Sequence, residues 1–235
     1  MFLSHRKMGI AGLLFLSVIL LTVFPSQGGI ITENFDNNQY DINLWWIYSI
    51  GQDATATVTN NRLEITLPAS SGGTLYLGNM GSNFALVGDF DMQADYTLLT
   101  WPANNASQVG LTISQANDFS IFRRSRGLDE GGGGEIYFTM IKGVMTQVSA
   151  AGNSGKLRMT RTGNTMQGFY WNGASWQLVG SSADPSLGLR TTVHLDFDRD
   201  TSFSGPSVKA AFDNVQLTYE RFATYNPAII QLLMD

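Results

Sequence analysis

The chain has no cysteine among its 235 residues. That excludes disulfides, thiolate metal centres, lipid attachment through a thioether and a thiol nucleophile. Histidine is nearly as scarce, with only His5 and His194. Histidine-based zinc sites draw on several imidazoles or thiolates, so they have nothing to be built from here. A Ser-His-Asp triad would rest on His194 alone, and no G-x-S-x-G nucleophile elbow accompanies it. Charge is also thin: charged residues make up 14%, and 14 bases face 19 acids for a net charge of -5. A basic footprint for nucleic acid is therefore missing.

Long apolar runs are absent but for one, at the N-terminus. MFLSHRKMGIAGLLFLSVILLTVFPSQGG carries a basic start (His5, Arg6, Lys7), an apolar run from Met8 to Phe24, then Pro25 and small residues. That layout predicts a secretory signal peptide over 1–28, cleaved after Gly28. The run falls short of the ~20 residues that span a bilayer, which argues against a retained anchor. Without 1–28 the chain has 12 bases against 19 acids, a net charge of -7. An exported domain of this size without cysteine points to a bacterial source and a secreted, extracellular or periplasmic location. The remainder reads as one domain over 29–220, long enough to bury a full core, and a short tail over 221–235 with a helix expected from Pro227.

Helical periodicity is almost absent from that domain. Short alternating segments recur instead between Gly, Asn, Asp and Ser clusters, as in 55–58, 62–66, 74–78, 90–98, 108–114, 119–124 and 135–141. Further segments follow at 156–161, 166–171, 176–181, 191–198 and 208–218. Hairpin turns are expected at Gly163-Asn164 and Asn172-Gly173, because those residues tolerate positive φ. The spacing predicts an all-β sandwich or barrel. HLDFDRD (194–200) is the densest acidic stretch. As a strand it sets His194, Asp196, Asp198 and Asp200 on one face, with Leu195 and Phe197 in the core.

Several stretches in order are similar to the concanavalin A-like lectin/glucanase superfamily, especially laminin-G-like bacterial members: ENFD, NLWWIYSIGQDATATVTNNRLEITLP, VGDFDMQADYTLL, GKLRMTRTGNTMQGFYWNGASWQLVG and VKAAFDNVQLTYE. The resemblance implies a two-sheet antiparallel jelly roll. It also implies a structural Ca²⁺ held by Glu33, Asp36 and Asp213, acids of the first and last strands. The superfamily's glucanases carry an E-x-D-x-E strand; HLDFDRD has the spacing, with Asp196 and Asp198, but no glutamate. It also lies late in the chain, whereas FSIFRRSR takes the central place and presents arginines.

Sugar rings stack on aromatic faces while polar groups hold their hydroxyls. Trp101, in the loop WPANNASQ, and Trp171 are the expected stacking platforms, and Arg123 the expected partner for an acidic group. Cross-strand pairing of Arg123 and Arg124 with Asp91, Asp95, Asp196 or Asp198 is the other reading of these arginines, and the favoured one. These features favour a secreted, non-catalytic carbohydrate-binding or surface-interaction module. A glycoside hydrolase or polysaccharide lyase of the same fold, working through Asp196 and Asp198 or through Asp129, Glu130 and Glu135, is the first alternative. A structural envelope or matrix module is the second.

Overall fold

A computed structural model describes residues 28–114, 119–130, 134–141, 143–183 and 191–224. The expected signal peptide up to residue 27, and the helix expected from Pro227, lie outside them. In chain order the strands are β1 (Gly29–Glu33), β2 (Trp45–Ile50), β3 (Thr55–Thr59), β4 (Arg62–Leu67), β5 (Ser70–Ser71) and β6 (Tyr76–Ser82). There follow β7 (Phe84–Thr100), β8 (Gln108–Ser114), β9 (Phe119–Ser125), β10 (Glu135–Ile141), β11 (Val144–Ser149) and β12 (Ser154–Thr162). The last are β13 (Thr165–Trp171), β14 (Trp176–Ala183), β15 (Thr192–Arg199), β16 (Ser204–Gly205) and β17 (Val208–Thr224). Two single turns of 3-10 helix, Asp36–Asn38 and Leu128–Glu130, are the only helical segments among the described residues.

The strands form two antiparallel sheets packed face to face. One has the order β14-β13-β12-β7-β17-β4-β3, with β1 added alongside β17; the other has the order β11-β10-β9-β8-β15-β6-β2. A two-stranded β5–β16 ribbon completes the set. The fold is the concanavalin A-like sandwich expected from the sequence.

Alternation decides which side chains enter the core. Phe90, Met92, Ala94, Tyr96 and Leu98 of β7 point inward and are buried, while Asp89, Asp91, Gln93 and Asp95 point outward. Leu195 and Phe197 of β15 are fully buried, each contributing about 1.5–3 kcal/mol by leaving water. Continuing that alternation, Arg199 also points inward and is 0% exposed. Among the described residues it meets no carboxylate. Its guanidinium donates to the carbonyls of Pro68 (2.9 Å), Asn105 (3.1 Å), Gly205 (3.2 Å) and Pro206 (2.5 Å) and to Ser107 Oγ (3.1 Å). One cation thus ties together three chain segments that lie far apart in sequence.

The structure departs from expectation at several strands. β2 and β11 were not expected, because WWIYSI lacks polar alternation and VMTQVS is an exposed edge strand. β7 and β17 run to 17 residues each, well past their expected ends. β17 therefore continues through Arg221–Thr224, so the residues expected to open a separate tail extend a strand paired with Phe84–Val87.

Candidate functional site

The outer face of the seven-stranded sheet carries a groove of about 950 Å³. Strand register sets its side chains in three rows across the sheet. The first runs Trp46, Gly81, His194, Thr112, Ser120, Met140. The second runs Tyr48, Asn79, Asp196, Gly110, Phe122, Phe138, and the third Ile50, Leu77, Asp198, Gln108, Arg124, Ile136. Polar groups thus occupy the middle strands and apolar or aromatic ones the flanks. Two glycines make that arrangement possible. A Cβ on Gly81 would collide with the Trp46 ring, and one on Gly110 with the Phe122 ring and the carbonyl of Ile121. Each glycine lets a neighbouring ring lie flat over its backbone. Trp46 stacks on Tyr48 at 4.9 Å and meets His194 edge-on at 5.6 Å, and Phe122 stacks on Phe138 at 5.4 Å.

The polar floor is held by two hydrogen-bonded networks, one around Asp196 and one around Asp198. Asp196 is buried and accepts from Asn79 Nδ2 at one oxygen and from Thr112 Oγ1 at the other. Asp198 accepts from Gln108 Nε2 at 3.2 Å; Gln108 accepts from Arg124 Nη1 at 2.8 Å, and Arg124 pairs with Glu130 at 2.7 Å. His194 lies 3.0 Å from Thr192 Oγ1 and 3.3 Å from the Asn79 amide. Burial raises the Asp196 carboxyl above the usual carboxylate range, against the hydrogen bonds that favour its charged form. Asp198 is pushed up to about 7, first by burial and then by the negative charge of Asp196. Burial holds His194 below its ordinary value. The Tyr48 phenol rises through burial and through the charge of Asp196.

HLDFDRD therefore sits in the middle of this groove. Its late place in the chain does not put it at an edge, because β15 is inserted between β8 and β6. FSIFRRSR forms β9, the third strand of the sheet, and its Ser120, Phe122 and Arg124 lie on the groove face. Arg123 consequently points the other way, 1% exposed and ion-paired to Glu135, so it is not presented to a ligand there. Arg124 and Arg126 are the arginines of this stretch that line the groove. Neither Arg123 nor Arg124 pairs with Asp91 or Asp95, which belong to the opposite sheet and hold Arg158 (2.5 Å) and Lys156 (2.8 Å). Trp101 packs against Phe197 at 6.0 Å and donates its indole N–H to Glu135 at 3.0 Å, so it has a structural role and does not line the groove. Trp171 belongs to β13 in the other sheet. The three expected ligand residues are not brought together. Tyr48, with Trp46 stacked on it, is the aromatic the sequence left unassigned at the groove; of the adjacent pair Trp45–Trp46, Trp45 is the inward ring, 1% exposed.

The expected calcium ligands are not gathered into one set. Both Glu33 oxygens are taken by backbone amides, those of Phe35 and Asp41 at 3.0 Å each, which fix the turn after β1. Asp213 is raised by burial and, more weakly, by Asp95 and Asp36. Among the described residues no group of three His, Cys, Asp or Glu side chains is placed to hold a metal ion. The residues present do not fit the ion that the fold family implies. The side chain of Asp129 lies outside what is described; Glu130 and Glu135 hold Arg124 and Arg123.

A family profile described as "Protein of unknown function (DUF1583) C domain" matches residues 31–190. No curated protein matches the chain. Among solved structures, the lectin UEA-II complexed with galactose is similar at 9% identity and a TM-score of 0.59, over 82% of this chain and 99% of that one. A β-1,3-glucanase from Mycobacterium marinum gives 14% identity and a TM-score of 0.56, over 80% and 97%. An immunostimulatory antigen and pseudo β-1,3-glucanase of Mycobacterium tuberculosis gives 9% and 0.58, over 80% and 98%. At these identities the likeness is one of fold.

Proposed function

The chain belongs to the DUF1583 C-domain family, and we propose that it is an exported module that binds a glycan in the groove over β15 without cleaving it. The carrying observation is the row order: a floor of carboxylates, amides and hydroxyls flanked by aromatic rings on both sides. Hydroxyl-rich rings need both, since the floor satisfies their polar edges and the rings cover their apolar faces. The solved structures of the same fold add support, because one is a lectin holding galactose and another is described as a pseudo-glucanase.

Two features of the floor favour binding over turnover. Asp196 has hydrogen bonds at both oxygens, which leaves it poorly placed to attack a sugar carbon. HLDFDRD has the spacing of the superfamily's glucanase strand but carries Asp and no Glu, and the shorter side chains withdraw the carboxyls from a bound sugar. One observation favours hydrolysis as a second reading: an Asp198 carboxyl titrating near 7 is protonated often enough to serve as a general acid. A glycan array followed by reducing-end assays on the bound glycans tests both. Retention without release of reducing ends, weakened at least tenfold by Tyr48→Ala, supports the binding module. Release of reducing ends that Asp198→Asn abolishes overturns it in favour of a hydrolase.

A further inference from the structure

A second cavity, of about 720 Å³, opens at the end of the sandwich where residues 150–153 cross from β11 to β12. It is separate from the groove, shares no residue with it, and draws its walls from both sheets. Tyr170 and Trp171 of β13 form one side, Tyr96 of β7 and Tyr137 of β10 the inner end. Asn172 and Gly173, in the β13–β14 turn, form the lip.

The inner end carries an unusual donor pair. Tyr96 and Tyr137 are 2% and 4% exposed, and their hydroxyl oxygens lie 2.8 Å apart. A single hydrogen bond between two phenols uses one of their two protons, which leaves the other to donate toward a third group. Gly155 allows this approach: a Cβ there would stand 2.8 Å from the Tyr96 oxygen. Tyr137 and Tyr170 stack at 4.3 Å with an 11° tilt, so the aromatic side is rigid, and Trp171 is braced edge-on by Trp176 at 5.4 Å. Charge at the lining is balanced: its only charged side chains, Asp95 and Lys156, are paired at 2.8 Å.

We infer that this cavity is a second ligand site, built for a single neutral sugar residue such as the end of a glycan chain. Rigid aromatic faces cover the apolar side of the ring, and the buried tyrosine hydroxyls with Asn172 Nδ2, whose oxygen caps the turn, meet its hydroxyls. The balanced Asp95–Lys156 pair gives no preference for a uronic acid or an amino sugar. The buried Tyr96 and Tyr137 hydroxyls form the inner end of the cavity, where a terminal residue would meet them.

Saturation-transfer NMR on the whole protein tests this with the methyl glycosides of glucose, galactose, mannose and xylose, and with glucuronate and glucosamine as charged probes. At least one neutral glycoside should bind. Its affinity should fall about tenfold in Trp171→Ala and in Tyr137→Phe, which keeps the ring and removes only the hydroxyl. It should be unchanged in Tyr48→Ala, which alters the groove alone. The inference is overturned if no neutral glycoside binds, if a charged probe binds as well as the neutral ones, or if the loss follows Tyr48→Ala and spares Trp171→Ala and Tyr137→Phe.

Discussion

Asp198 and Arg199 are neighbours in sequence that face opposite sides of β15, and the two sides treat charge differently. Arg199 is buried with each of its three guanidinium nitrogens donating to a carbonyl or hydroxyl, so it is a charged clamp holding 68, 105–107 and 205–206 together. Arg199→Met removes those bonds and leaves buried carbonyls without donors. Hydrogen bonds to a charged group contribute about 1.5–3 kcal/mol each, and they are not additive. The expected loss is at least ~3 kcal/mol, seen as a lower urea midpoint, and Arg199→Lys should recover only part of it because an ammonium lacks the planar fork. On the groove side, Asp198 titrates near 7, so ligand contacts to this residue should differ between its protonated and charged forms. Groove affinity for a glycan should therefore change between pH 6 and 8, about a tenfold change at most, and become flat over that range in Asp198→Asn. A glycan titration at several pH values checks this.

At the scale of strands, the groove depends on close lateral packing at two glycines, and these should respond differently to a methyl group. At Gly81 the obstacle is the Trp46 ring, which can swing away. Gly81→Ala should cost only about 1 kcal/mol, yet lower groove affinity by displacing the aromatic wall. At Gly110 the obstacle includes the backbone carbonyl of Ile121, so β8 and β9 must separate. Gly110→Ala should cost about 2–3 kcal/mol, readable in the denaturant midpoint. The same strands show what local sequence can convey. Gln108–Ser114 and Glu135–Ile141 matched their expected bounds because clear alternation is flanked by turn residues. Alternation in HLDFDRD likewise set the correct faces for Leu195, Phe197, Asp196 and Asp198. Which strands lie beside it is a long-range matter: β6 and β8 are more than 70 residues away, and only pairing brings Asn79 and Thr112 onto the Asp196 oxygens. Arg123 was misplaced for a related reason. Its alternation was legible, but which face is outward depends on a partner sheet that the stretch itself does not specify.

Across the whole molecule, Glu64 on one sheet and Asp198 on the other are shifted in opposite directions, and their effects on stability run in opposite directions with pH. Glu64 lies on the eight-stranded sheet, 3% exposed, between Lys209 (2.5 Å) and Arg62 (2.7 Å). Burial alone would raise it, but hydrogen bonds from Lys209, Asn60 and Arg62 hold it down to about 2. A depressed carboxyl contributes stability that is present above its unfolded value near 4.3 and is lost as pH falls toward 2. Asp198 on the other sheet is raised, so the folded state binds its proton more tightly than the unfolded chain. Its contribution is favourable below about 4 and is lost as pH rises from there to about 7. The two variants should separate these limbs in urea titrations from pH 3 to 8. Glu64→Gln should be less stable than the parent by about 2 kcal/mol at neutral pH, and the gap should close below pH 4. Asp198→Asn should match the parent near pH 4 and become progressively the more stable of the two as pH rises from 4 to 7. Parallel curves for parent and variant, at either position, would mean that its carboxyl titrates alike in the folded and unfolded chains.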